Sequence, residues 1–502
     1  MAAVRGMGTA LAARGGAARH AVRLIWAGFA AGLLLMALLV ARSQVGGDQL
    51  NLLARGWLLA VRGRMIWTGN PLSTGGNAPG GLTSLLVGLP LMLWRDHRAA
   101  TALVALSHLL AFLLLDRTLV RILSPQERLC FMVLYWLSPW QLYFAGFLWN
   151  PNYLFLGGAL HLATAWRLRG RRQPAPRSGA PLERATPTAG ASLLHVATLV
   201  LAFQIHPSFL LLAAASALLW WRGHLRLHLR GALAGAVLGA LPLIPWALQV
   251  AAHPALLAAA HKGFPGRGLV YSLPRGLFYW LRYSSLAVAG RTSLFDFTEA
   301  FGAAANRRLV PPLRALTQIA GPLTVLLPLA ANFWLARRWW RQRAATPALS
   351  PARAAVATAP AAAGLAASGR RAWLRAYVVA TVAAAAAVFA LSPTTFMYWQ
   401  GLCLFHAAVL PLTLYAGALL RTRHARRVLA AAAVYAALEL LLTLGIAFGT
   451  PDFRCRGLGT LVFPLRDHSP MLDDLHIQTT CPWPLDMPGT WWPDVLPPSA
   501  GH

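Results

Sequence analysis

"LIWAGFAAGLLLMALLVA", residues 24–41, carries no charged side chain, and Arg5, Arg14 and Arg23 precede it. Coiled into a helix, a run of this length matches the hydrocarbon thickness of a bilayer. It is longer than the apolar core of a secretory signal, and no clear A-x-A cleavage site follows it. The stretch reads as an uncleaved first transmembrane helix, with the arginines holding the N-terminus in the cytoplasm.

The rest of the chain repeats this alternation. Of 502 residues, 57% are hydrophobic and only 12% charged, against about 25% charged in an ordinary soluble domain. Such long apolar runs cannot all be hidden in one soluble core, so the expected class is an integral membrane protein. In a soluble chain, the net charge of +31 would point to nucleic acid. Here the arginines sit between apolar runs, where basic residues stay inside, and no nucleic-acid partner is expected. The bias toward arginine (Lys262 is the only lysine) reads as a GC-rich bacterial genome.

Sidedness orders the spans. After 24–41 come 99–117, 128–148, 152–168, 191–204, 208–221, 231–250, 313–336, 373–391, 402–420 and 428–448. The basic linkers 169–190, 222–230, 337–372 and 421–427 then all fall inside. The fold expected is all-α, a polytopic transmembrane bundle of about eleven helices. It forms one module over 1–448, in a bacterial inner membrane, followed by a short periplasmic tail, 449–502.

Residues 42–98 make a large first periplasmic loop. Leu50, Leu53, Trp57 and Val61 recur at helical spacing, with Asp48, Arg55 and Arg62 between them, which predicts an interfacial helix. The Gly/Pro-rich loop "TGNPLSTGGNAPGG" follows. "LTSLLVGLPLMLW" (82–94) is short and contains Pro90; sidedness requires it to start and finish outside, so it too reads as interfacial. Further on, Gly231, Gly235 and Gly239 recur at every fourth place and predict close helix packing.

Acidic residues are scarce, 14 against 45 basic. Facing outward near the membrane are Asp48, Asp96, Asp296 and Glu299, with others in the tail. Asp48 heads the candidates for a general base; its "GGD" setting also reads as a helix cap. "FLWNPN" places Asn150 and Asn152 at an outer turn, and "QIHPS" does the same for Gln204 and His206. In the loop 251–312, His253, His261, Lys262 and Arg267 form an outer basic cluster suited to a phosphate, and "GLFYWLRYSS" suits headgroups or sugar stacking. Glu439, inside the last span, is expected to be paired with an Arg or His. Cys130 and Cys403 read as core, while Cys455 and Cys481 could bridge in an oxidising compartment. Asp473, Asp474 and His476 offer too few ligands at defined spacing for a metal.

The order of a first helix, an Asp soon after it, the interfacial "ARGWLLAVRG", a Gly/Pro loop and a short proline-containing segment before an Arg resembles the GT-C superfamily of polyprenyl-phosphate-dependent glycosyltransferases. The resemblance is to the protein O-mannosyltransferase and lipid A aminoarabinose transferase type. It covers most of the chain as architecture, and by motif only 46–100, 147–152 and 204–208. It implies Asp48 as base or orienting group at the acceptor. The implied donor is a polyprenyl-phosphate sugar whose phosphate meets Arg55, His206, Lys262 and Arg267. Asn150, Asn152 and Gln204 would contact sugar or acceptor, which is an envelope glycan, lipid or protein. Family members often carry an acidic residue in the second outer loop, where this chain has Asn150 and Asn152; a metal is therefore not expected, nor any cofactor beyond the lipid-linked donor. The rival readings are a transporter or flippase of lipid-linked sugars, and a polymerase or ligase using the long loop 251–312.

Overall fold

The computed structural model describes residues 2–43, 45, 47–70, 77–170, 187–254, 268–288, 297–344, 359–392, 395–449, 471 and 474–477. Among these the only β pairing is an isolated bridge between Arg169 and Leu225. All other regular elements are helices, as an apolar solvent demands of a chain that must satisfy its own backbone.

The N-terminal part comprises α1 (Ala2–Ala41), α2 (Gly47–Arg62), α3 (Leu82–Leu93) and α4 (His97–Leu119). Next come α5 (Pro125–Phe131), α6 (Pro139–Ala145), α7 (Leu154–Arg167), α8 (Ala189–Ile205) and α9 (Phe209–Trp221). The remainder is α10 (Leu229–Ala240), α11 (Ile244–Ala252), α12 (Leu273–Arg282), α13 (Thr298–Ala344), α14 (Ala359–Leu391), α15 (Phe405–Leu419) and α16 (Ala425–Phe448). Seven stretches among the described residues are long and apolar enough to cross a membrane: Arg19–Ala41, His97–Leu119, Leu229–Ala252, Ala300–Arg341, Ser368–Leu391, Tyr398–Leu419 and Ala425–Phe448. They match seven of the expected spans, and α8 and α9 are shorter apolar helices at two more.

Two expectations change. The span expected at 128–148 is interrupted: α5 runs into a π turn, Met132–Trp136, and α6 restarts at Pro139 with Ser138 capping Trp140 N–H at 3.3 Å. The aromatic side chains of this segment explain the break, because Trp136 stacks with Phe112 at 4.7 Å and Phe29 at 5.6 Å and ties the π turn to α4 and α1. The loop expected at 251–312 is partly helical: α12 lies within it, and α13 begins at Thr298 with a kink at Gly302.

The core is aromatic. Trp136, Trp140, Tyr135, Tyr283, Tyr377, Phe131, Phe144, Phe155, Phe389 and Phe405 are all fully buried. Cys130 and Cys403 are buried as free thiols. The glycine stripe acts as its spacing predicts: a Cβ on Gly231 would come within 2.2 Å of the Ala189 carbonyl, and one on Gly235 within 2.3 Å of that of Leu193. Only hydrogen at these places lets α10 lie directly on the backbone of α8.

The bundle has two ends. At one, the flanks of all four expected cytoplasmic linkers meet. Gly170 N–H donates to the His224 carbonyl at 3.0 Å, Trp373 Nε1–H to the same oxygen at 3.1 Å, and Arg371 and Arg421 both reach Glu127, at 2.8 and 2.9 Å. Glu127 also closes a capping box with Ser124. At the other end lie α2, α3 and the turns at 149–152, 205–208 and 398–404. Residues of the tail dock there: Asp474 accepts from Trp57 Nε1–H at 2.7 Å and pairs with Arg95 at 3.7 Å. His97 N–H donates to the Leu475 carbonyl at 3.1 Å. Glu439 does not form the expected pair. It is buried in α16 with no ion pair among the described residues, and its Oε2 has no hydrogen-bond partner there. Cys455, Cys481, Asp473, His261 and Asp296 lie outside the described residues.

Candidate functional site

Asp48 sits in the first turn of α2, where a carboxylate is favoured by the helix dipole. Its side chain is exposed, and Oδ2 accepts a hydrogen bond from Trp149 Nε1–H at 3.0 Å. The crowded setting removes enough water to push the carboxyl above its ordinary range, with the Trp149 bond working against that. The other carboxylates at this end of the bundle whose side chains are described are already engaged. Asp96 caps α4 and forms a two-pronged pair with Arg98, at 2.5 and 2.8 Å, which holds it below the usual range despite its burial. Asp474 is taken by Trp57 and Arg95. Asp48 has no basic partner among the described residues.

Trp149 begins a wall of rings. It lies 5.4 Å from Trp399, which meets Tyr398 edge-on at 4.9 Å, and Tyr398 lies 6.0 Å from Trp140. The Arg282 guanidinium stands over Trp140 at 5.7 Å and over Tyr279 and Phe278 at 5.5 and 5.4 Å. Arg282 Nε–H donates to the Ala287 carbonyl at 2.9 Å, and no carboxylate among the described residues pairs with it. Burial lowers its affinity for the proton, while the phenol groups of Tyr279, Tyr283 and Tyr398 offset this; an arginine stays charged in either case. Tyr283 O–H donates to the Tyr398 carbonyl and fixes α12 to the turn that carries Tyr398 and Trp399. An aromatic face therefore runs from a carboxylate to a cation, neither with an opposite charge among the described residues. Such faces stack on sugar rings and cations.

The other predicted residues build the support. Asn150 Nδ2–H donates to the Ile205 carbonyl at 2.8 Å, tying the turns at 149–152 and 205–208 together. Asn152 Nδ2–H donates to the carbonyls of Phe144 and Phe147, at 2.7 and 2.9 Å, and its Oδ1 is buried with no partner among the described residues. Gln204 Nε2–H donates to the Gly239 carbonyl at 2.7 Å, and its Oε1 packs against Gly80, where a Cβ would lie 2.8 Å away. Gly80 has φ +82°, so it is doubly fitted to the Gly/Pro loop. In the QIHPS turn, His206 Nδ1 accepts from Ser208 N–H at 3.1 Å and lies 2.7 Å from its hydroxyl. That leaves the ring proton on Nε2, and burial brings the imidazole down to about 4, so His206 is a neutral donor.

Arg55 does not join the mouth as a free cation. It is buried, with Nε on Asn51 Oδ1 at 2.7 Å and Nη1 on the Thr68 carbonyl at 2.5 Å, and so fastens α2 to the following loop. Lys262 and Arg267 lie outside the described residues, and the Glu299 side chain is likewise not described. Among the described residues no group of three His, Cys, Asp or Glu could hold a metal ion. Sequence reasoning missed Trp149, Trp399, Trp140 and Arg282 as site residues; the "FLWNPN" and "GLFYWLRYSS" segments held part of the signal, but nothing marked them as neighbours.

No protein-family model and no curated protein matches this sequence. Two solved structures of the oligosaccharyltransferase from the archaeon Archaeoglobus fulgidus are similar to the chain. The first, AglB in complex with an inhibitory peptide and a dolichol-phosphate, is 11% identical with a TM-score of 0.44, over 91% of this chain and 60% of that one. The second, in the apo form, is 13% identical with a TM-score of 0.43, over 93% and 60%. The chain thus spans about three fifths of the length of those proteins.

Proposed function

We propose that the chain is an integral-membrane glycosyltransferase that moves a sugar from a polyprenyl-phosphate donor to an acceptor hydroxyl at the periplasmic face of a bacterial inner membrane. The observation that carries this reading is the aromatic wall with Asp48 at one end and Arg282 at the other, neither with an opposite charge among the described residues. Asp48 takes the proton of the acceptor hydroxyl as its oxygen attacks the anomeric carbon. The bond from that carbon to the phosphate oxygen breaks, and the lipid phosphate leaves with the electron pair. Arg282 meets the charge that grows on the phosphate, joined by the neutral Nε2–H of His206, with Lys262 and Arg267 as further candidates from the sequence. Rings such as Trp149 and Trp399 stack on the sugar. Asn150, Asn152, Gln204 and Arg55 keep the turns and α2 in register. A carboxyl shifted upward is the stronger base once ionised.

The test compares wild type with Asp48→Asn and Arg282→Ala in membranes supplied with a radiolabelled polyprenyl-phosphate sugar pool, after equal insertion is verified. Loss of transfer in both supports the assignment. Transfer by Asp48→Asn at the wild-type rate removes Asp48 as the base.

A further inference from the structure

Away from this site, the middle of the bundle contains three buried histidines that the transfer reaction does not use. Thr164 Oγ1 lies 2.8 Å from His195 Nδ1, and His195 Nε2 lies 3.0 Å from Ser216 Oγ. Ser216 Oγ lies 2.8 Å from His161 Nε2, and His161 Nδ1 lies 2.8 Å from the Tyr377 hydroxyl. That hydroxyl lies 2.8 Å from His406 Nε2. Six side chains from α7, α8, α9, α14 and α15 form one unbroken chain, and none is more than 8% exposed. Apolar side chains would hold these helices together at no desolvation cost, and ionisable groups at this depth are expensive unless they serve a purpose.

Counting protons shows what the chain can do. Each of the three hydroxyls and each of the three neutral imidazoles carries one proton, giving six protons for five contacts. One proton is therefore spare, and the structure offers it three resting places. Thr164 can donate to the Leu160 carbonyl at 2.6 Å, or Ser216 to the Leu212 carbonyl at 3.0 Å. The third is the Cys403 carbonyl, which takes a hydrogen bond from His406. Each filling satisfies every contact with all six groups neutral. They differ only in which way the protons point, so the chain has several polarities of nearly equal standing.

We propose that this chain is a proton relay through the bundle. A proton arriving at Thr164 Oγ1 displaces that hydroxyl's proton onto His195 Nδ1. Each group in turn accepts on one side and releases on the other, until His406 gives up the proton on Nδ1. One proton enters, one leaves, and the chain is left with reversed polarity; rotation of the hydroxyls and tautomer exchange of the rings reset it. The inner terminus lies one turn from Leu168, at the arginine end. The outer terminus adjoins Cys403, whose thiol donates to the carbonyl of Ser208, the residue that holds His206. Gly158 is what permits the outer junction: a Cβ there would stand 2.1 Å from the Cys403 carbonyl and 2.8 Å from His406 Nδ1.

The test needs no transfer assay, so its failure and that of the glycosyltransferase reading are distinguishable. The full chain is reconstituted in phosphatidylcholine vesicles holding a pH-sensitive dye, and a potassium diffusion potential drives protons. Wild type is expected to pass protons at least tenfold faster than protein-free vesicles. Tyr377→Phe removes one hydroxyl shared by two histidines and leaves the ring, and should fall to within twofold of the protein-free rate. Ser216→Ala interrupts the chain at a second place and serves if the first variant melts early. Nitrogen-15 spectra of histidine-labelled wild type should show both tautomers at His161. Wild-type flux equal to that of protein-free vesicles overturns the proposal, as does flux through both variants equal to wild type, or a single fixed tautomer at His161.

Discussion

The two ends of the bundle handle charge in opposite ways. At the arginine end, Glu127 is buried to 1% exposure and answered by Arg371 and Arg421, while Asp116 is matched by Arg128 at 2.6 Å. At the opposite end, Asp96 is answered by Arg98, yet Asp48 and Arg282 have no opposite charge among the described residues. A satisfied pair holds a structure in place and has nothing left to offer a ligand. An unsatisfied charge costs stability and is kept where a substrate brings the counter-charge.

Removing Asp48 should break this contrast most sharply. Asp48→Asn is expected to lower transfer by about 100-fold or more, the usual range for a general base. Its melting temperature should not fall, because the fold disfavours the ionised form and the neutral amide relieves that at pH 7. Thermal melts beside transfer assays check both halves. Arg282→Ala should cost about 10- to 100-fold in transfer. Arg282→Lys should recover part of this, since the charge returns without the planar fork; initial rates over a range of donor concentrations measure it. Glu127→Gln should do the reverse, losing about 1–3 kcal/mol of stability with transfer per folded molecule within about twofold of wild type.

Titration sharpens the comparison further. The Asp48 carboxyl is raised, so transfer should fall as pH drops through a limb lying above the ordinary aspartate value, and Asp48→Glu should move that limb. The smallest effect is at His206. Its folded value of about 4 lies below the ordinary 6.5, so the neutral ring contributes stability that is full above pH 6.5 and fades as pH falls toward 4. His206→Gln should flatten melting temperature against pH in that window.

Much of this fold was legible because hydropathy and arginine placement are one-dimensional signals that bilayer thickness and sidedness translate directly. Residues 24–41 needed no knowledge of contacts. Asp48 stood out because carboxylates are scarce. Helical spacing placed Arg55 among the polar residues of α2 and gave no sign that it is held by Asn51 and the chain at Thr68. The break inside 125–145 depends on rings from α1 and α4, and the wall from Trp149 to Arg282 draws on three distant segments. No local pattern reports such a meeting. Glu439 was expected to have a partner because burial of a charge demands one, yet the described residues supply none.

The docking of the tail sets an order on the making of the molecule. Trp57 and Asp474 are separated by 417 positions, yet share a hydrogen bond. At a synthesis rate of about 5–20 residues per second, the indole waits roughly 20–80 s for its carboxylate. Throughout that time Trp57 and Arg95 lack the carboxylate that they share. The contact that fastens residue 474 to α2 is thus made long after α2 itself is synthesised.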